Sequence, residues 1–174
     1  MIKQIKDQNN MRKVFTLCFL LASIITKAQD LPTLPENAFA FPLGSKFTIK
    51  LCPVDSMNFD YSIIDFEQFD KIIDSRGKDS LFAEKGQDST IAFYFCIGTH
   101  GENEKEKEDN MKVLLLLKNY SKIILEYKSE IQVKEDGEFE TTSNIGCYPG
   151  ALGTEIWPYM IYMIALSEFR QYQN

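Results

Sequence analysis

Residues 121–134 read SKIILEYKSEIQVK, and Asp136-Gly137 follows close behind. Ile123, Leu125, Tyr127, Ile131 and Val133 fall on one side of a period of two. Lys122, Glu126, Lys128, Glu130, Gln132 and Lys134 fall on the other, with Ile124 the one exception. A strand sends successive side chains to opposite faces, so this alternation predicts one long or bent strand with a buried face and a wet one. Asp-Gly after such a segment is the strongest short-range hairpin signal, because a type I′ turn needs positive φ at both central residues. A returning strand at residues 138–142 is expected.

Working outward, residues 111–118 include Val113, Leu114, Leu115, Leu116 and Leu117, apolar on both faces as a central strand of a packed sheet would be. In residues 90–98, Ile91, Phe93, Phe95 and Ile97 alternate with Ala92, Tyr94 and Cys96, so both faces of a second strand are covered. The segment between them carries Glu102, Glu104, Lys105, Glu106, Lys107, Glu108 and Asp109 and reads as a solvated hairpin loop. Phe47, Ile49 and Leu51 alternate up to Pro53, marking another strand, with structure expected from near Gly44. The apolar residues of 59–74 fit a helical stripe nearly as well as two short strands, and strands are favoured. Propensity also nearly ties over residues 155–170, where the surrounding strands favour one final buried strand. Its eleven-residue apolar run, 156–166, is too short to cross a membrane.

Several strands separated by turn signals imply an all-β chain, an antiparallel β-sandwich of about seven to nine strands. The segments Leu115-Leu116-Leu117-Lys118-Asn119-Tyr120-Ser121, Leu125-Glu126-Tyr127, Thr141-Thr142-Ser143, Pro149-Gly150 and Glu155-Ile156-Trp157-Pro158, with a closing apolar strand, span residues 111–170. In this succession the chain resembles small secreted bacterial proteins of uncharacterised function. The resemblance implies an immunoglobulin-like sandwich and export; it implies no activity and no catalytic residue.

Export has its own signal in residues 11–29. Arg12 and Lys13 form a basic start, residues 14–25 an apolar core, and Thr26-Lys27-Ala28 places small residues at −3 and −1 of a cut before Gln29. Residues 1–28 are therefore expected to be a signal peptide whose true start is Met11. Cys18 lies inside the apolar core without the small residues that precede a lipoprotein cysteine, so no lipid anchor is expected. Residues 29–43, with Pro32, Pro35 and Pro42, read as a linker or edge segment, and residues 44–174 as the folded domain. The chain ends up in the periplasm, the cell envelope or outside the cell.

Of the 19 basic and 25 acidic residues, five and one lie in residues 1–28, which leaves 14 and 24 and a net charge of −10. This balance opposes nucleic acid and anionic membrane, which are gripped through Lys and Arg. Past the signal peptide stand Cys52, Cys96 and Cys147, enough for one disulfide and a spare thiol. Cys52 and Cys147 both sit where a strand meets a Pro-containing turn and form the favoured pair, with three unpaired cysteines the alternative. Their spacing fits no zinc pattern, and no cofactor is implied.

His100, in Gly98-Thr99-His100-Gly101, is the only histidine and so the only base available to a Ser-His-Asp mechanism, but no nucleophile elbow, zinc or phosphate-loop motif accompanies it. It reads as a loop histidine. A carboxylate pair of the glycosidase kind cannot be identified from spacing. Glu155 and Trp157 are the candidate ligand or partner surface, an aromatic platform beside a carboxylate, with Trp157 as a core aromatic the plainer alternative. Asp55-Ser56-Met57, Asp79-Ser80-Leu81 and Asp88-Ser89-Thr90 resemble the Asp-Ser/Thr-apolar O-glycosylation motif of some bacterial periplasmic proteins, although Asp-Ser is also turn chemistry. Asn119-Tyr120-Ser121 fits the N-glycosylation pattern and reads as a turn. The expectation is an exported, non-catalytic binding protein whose partner is another protein or itself. An envelope immunity or inhibitor protein, and a carbohydrate-binding module or hydrolase, are the rival readings.

Overall fold

The computed structural model describes Leu31, Pro32 and residues 34–173. The expected signal peptide, residues 1–28, and Cys18 within it lie outside the described residues. Among the described residues the chain makes ten strands: β1 (Ala38–Pro42), β2 (Ser45–Pro53), β3 (Asn58–Gln68), β4 (Ile73–Asp74), β5 (Thr90–Thr99), β6 (Lys112–Asn119), β7 (Leu125–Gln132), β8 (Glu140–Thr142), β9 (Leu152–Trp157) and β10 (Met163–Gln171). One six-residue helix, α1 (Glu104–Asp109), and a 3₁₀ turn at Lys78–Leu81 complete the elements.

The protein is all-β. Its strands run in the order β8-β7-β10-β3-β2-β5-β6-β9, with β1 added to β10 and β4 to β5, and every strand pairing except β4–β5 is antiparallel. This is one continuous sheet curled into a half-barrel, where a two-sheet immunoglobulin-like sandwich was expected. Alternation along a strand reports which face is buried and is silent on what covers it. A sheet folded over on itself satisfies the same pattern as two stacked sheets.

β7 shows the expected alternation: Leu125, Tyr127, Ser129 and Ile131 are buried and the residues between them are half-buried. It is shorter than the pattern, because residues 121–124 turn instead of pairing. The hairpin to β8 forms, but the turn closes one residue early, from Gly137 N–H to Lys134 O at 3.0 Å. Asp136 takes φ of 59° while Gly137 keeps a negative φ, so the turn lacks the two positive φ values of type I′. In residues 59–74 the strand reading holds over the helical one, with the long β3 and the two-residue β4 in place of the two short strands favoured. The closing apolar run is two strands, which corrects the expectation of one. Pro158 has no N–H for a ladder, and the chain leaves β9 there to cross to a different part of the sheet.

The interior of the curl is lined by Phe47, Phe93, Leu115, Leu125, Ile164 and Phe169 among others, all buried. A second cluster of Ile73, Tyr94, Cys96, Leu114 and Leu116 lies apart from it, joined by Phe69, Leu81 and Phe82. The connection from β3 to β5 thus covers the outer faces of β5 and β6, pinned where Tyr94 Oη donates to Leu81 O at 2.8 Å. Both strands are apolar on two faces for this reason.

Order begins ahead of Gly44. β1 pairs with β10 over Ala38–Pro42, and just before it Glu36 exchanges two 3.0 Å backbone hydrogen bonds with Tyr61 of β3. β10 pairs with β3 only at Phe169 and Arg170, past an irregularity where Glu168 adopts φ of 54°. β1 therefore fills the space where β10 and β3 diverge. Tyr61 closes it from inside, its hydroxyl donating to Leu166 O at 2.6 Å and accepting from Phe39 N–H at 2.8 Å, between two residues that face each other across β1 and β10. Gly44, with φ of 83°, then reverses the chain into β2.

Candidate functional site

The end of the sheet where β2 and β6 begin and β3, β5 and β9 finish carries three adjoining concavities. The largest, about 540 Å³, lies between residues 72–74, residues 99–101, α1 and Met111. A second, about 120 Å³, lies between Ile97, residues 111–113 and Pro158-Tyr159-Met160. The third, about 180 Å³, is bounded by Leu43, Gly44, residues 69–72 and Ile97. Ile72, Ile97 and Met111 each line two of the three, forming an apolar ridge among them. Ile72 is 51% exposed and Met111 44%, and Tyr159 and Met160 beside them are half exposed.

The polar wall is built by the charged segment, which was expected as a plain loop and folds into α1. Asn103 caps the helix, its Oδ1 accepting from Glu106 N–H at 3.0 Å while its Nδ2 donates to Glu106 Oε1 at 2.7 Å. Glu102 N–H donates to Glu106 Oε2 at 2.9 Å, and Lys107 pairs with Glu104 at 2.8 Å. Thr99 Oγ1 donates to Lys107 O, and Asn110 Nδ2 to His100 O at 3.1 Å, which ties the helix to the end of β5. Opposite, β4 runs parallel to β5, with Ser75 N–H donating to Thr99 O at 2.8 Å.

His100 is half-buried in this wall, its Nδ1 3.2 Å from Ser75 Oγ. Asp74 is close by, yet its Oδ1 accepts from Arg76, from the backbone N–H at 2.9 Å and from Nε at 3.4 Å. The backbone N–H of Arg76 above all holds the Asp74 carboxyl below its usual range. A Ser-His-Asp relay needs serine on one ring nitrogen and the carboxylate on the other. Here the carboxylate is spent on Arg76, and Ser75 occupies the nitrogen the carboxylate would need.

Glu155 and Trp157, the candidate ligand or partner surface, lie inside the half-barrel at 6% and 5% exposure, which makes Trp157 the core aromatic of the plainer alternative. Within β9 the inward residues are Gly153, Glu155 and Trp157, and Ile156 faces out. Tyr127 Oη donates to Glu155 Oε1, while Oε2 is buried without a partner. Trp157 Nε1 donates to Thr142 Oγ1 at 3.3 Å. Side chains of β9 thus meet β7 and β8, so the two ends of the curled sheet are joined by side-chain bonds. Burial pushes the Glu155 carboxyl up to about 7, against the opposing pull of the Tyr127 hydroxyl and the Ile145 N–H. The Tyr127 hydroxyl is pushed up as well, first by burial and then by the Glu155 charge.

The three cysteines are free, so the favoured Cys52–Cys147 pair is not made. Cys52 is partly exposed at the end of β2, whereas Cys147 is buried against the start of β7, its backbone exchanging hydrogen bonds with Leu125 at 3.0 and 3.1 Å. Burial raises the Cys96 and Cys147 thiols to about 12. The concavity itself escaped the sequence, because its walls come from five separate stretches; His100 was its one member singled out.

Protein-family models, curated proteins and solved structures contain no match to this chain.

Proposed function

We propose that this is an exported, non-catalytic binding protein of the bacterial envelope that holds a protein partner at the three-lobed concavity. The observation that carries the proposal is the gathering of Ile72, Met111, Tyr159 and Met160, all exposed, around linked hollows at one end of a rigid sheet. Exposed apolar groups concentrated in concave surface mark interaction sites, and loops on a strand framework are where such sites are built, as they are in immunoglobulin-like domains. The α1 segment beside the hollows adds net negative charge, which favours a partner with basic groups at its rim and agrees with an immunity or inhibitor role. A carbohydrate platform of Glu155 and Trp157 has no support, since both are interior.

The test uses immobilised protein and an envelope extract from the native cells. Met111→Asp should weaken partner capture at least about tenfold, the loss of roughly 1.4 kcal/mol expected when an apolar anchor is replaced by a charge. Ile156→Asp, on a residue 53% exposed on the outer face of β9, should leave capture unchanged. Equal effects of the two substitutions would sink the site. His100→Ala, which trims one wall of the largest hollow, should weaken capture less than Met111→Asp does.

A further inference from the structure

We propose that Ser56, Ser80 and Ser89 carry O-linked glycans in the exported protein, an inference that rests on the export reading. The chain contains four Asp-Ser steps, at residues 55, 74, 79 and 88, and in three of them Met57, Leu81 or Thr90 follows with a methyl-bearing side chain. The structure separates those three from the fourth. Ser56, Ser80 and Ser89 are all exposed and all lie in connections between strands, where a transferase reaches a hydroxyl without unfolding a ladder. Ser75, followed by Arg76, is half-buried.

The acidic residue before two of the serines shapes the turn that presents the hydroxyl. The Asp55 carboxylate is held in its charged form by Asn58 and by the backbone N–H groups of Met57 and Asn58, which fixes the turn and leaves Ser56 at its tip. Asp88 accepts the Ser89 N–H at 2.9 Å, and Ser89 itself projects from a turn with φ of 60°. Asp79 and Ser80 belong to the 3₁₀ turn Lys78–Leu81, none of whose residues is buried. Asn119-Tyr120-Ser121 behaves oppositely. Asn119 is fully buried and donates to Ile123 O and Cys147 O, both at 3.0 Å, so the amide an N-linked glycan needs is consumed by the fold.

Placement adds a second argument. Ser56 joins the end of β2 to the start of β3, and Ser89 immediately precedes β5. Both therefore sit at the end of the sheet remote from the concavity, and glycans there leave the binding end clear. The reaction joins serine Oγ to the anomeric carbon of a lipid-pyrophosphate-linked oligosaccharide. The Oγ–H proton passes to a base of the transferase, and the lipid pyrophosphate leaves with the electron pair of the broken carbon–oxygen bond.

Intact-mass measurement of the protein purified from the native envelope decides the matter. The expected mass is that of the chain from Gln29 plus three carbohydrate increments. Ser56→Ala, Ser80→Ala and Ser89→Gly, the last chosen to suit the positive φ, should each remove one increment, and Ser75→Ala none. A bare chain starting at Gln29 would overturn the glycosylation and leave export standing. A chain retaining residues 1–28 would overturn both.

Discussion

Leu125→Ala should destabilise the fold by about 2–5 kcal/mol, the cost of deleting buried methyl groups and leaving a cavity that a close-packed interior fills only in part. Leu125 has no exposed surface, opens β7, and lies where three segments meet: it is opposite Gln171 of β10 and exchanges backbone hydrogen bonds with Cys147. Its neighbour Glu126 points the other way and meets Arg170, whose Nε and Nη2 reach Glu126 Oε2 at 2.8 and 2.7 Å. That pair is largely exposed, so Glu126→Ala should cost at most about 1 kcal/mol. Urea melts of the two variants compare the faces directly. A larger loss from Glu126→Ala would mean that the register of β7 is displaced by one residue.

Glu155→Gln should raise stability at pH 8 by about 3 kcal/mol and leave it nearly unchanged at pH 4. The Glu155 carboxyl titrates at about 7 in the folded protein against an ordinary 4.5. Between these values the folded chain holds a proton that the unfolded chain has released, so stability falls as pH rises through the window and levels off above 7. The size follows from about 1.4 kcal/mol for each pH unit of the interval. Glutamine keeps an acceptor for the Tyr127 hydroxyl and carries no charge to desolvate. Tyr127→Phe removes a group that favours the carboxylate and should move the upper edge of the window above 7. Chemical melts from pH 4 to 8 read both effects, and a wild-type stability flat from pH 5 to 7 would show that Glu155 is charged throughout.

Strands with long runs of clear alternation or with two apolar faces were legible: β2, β5, β6 and the centre of β7 stand where the pattern places them. Curvature was not, because which wall a residue such as Leu115 meets across the barrel depends on the whole strand order. β9 shows a more specific failure. A carboxylate beside an aromatic suggests a surface platform, whereas Trp157, with its large apolar surface, takes the interior and carries Glu155 in with it. Burying that carboxyl is made tolerable by Tyr127, which sits 28 residues earlier, beyond any local window. α1 did leave a trace, in the Asn103-x-x-Glu106 capping pair, outweighed by the charge of the run. The binding end was illegible because adjacency of Ile72, Met111 and Met160 exists only after β4, β6 and β9 have found their partners.

β10 is the most C-terminal strand among the described residues, and it stands inside the sheet with β7 along one edge and β1 and β3 sharing the other. Until residues 163–171 emerge from the ribosome, β7 and β8 have no backbone ladder leading to β3, and β1 lacks the strand it pairs with. Pairings that span nearly the full length of a chain form late and slowly. Closure of this sheet therefore waits on residues 163–171, and until they are in place a strand-wide gap separates β7 from β3.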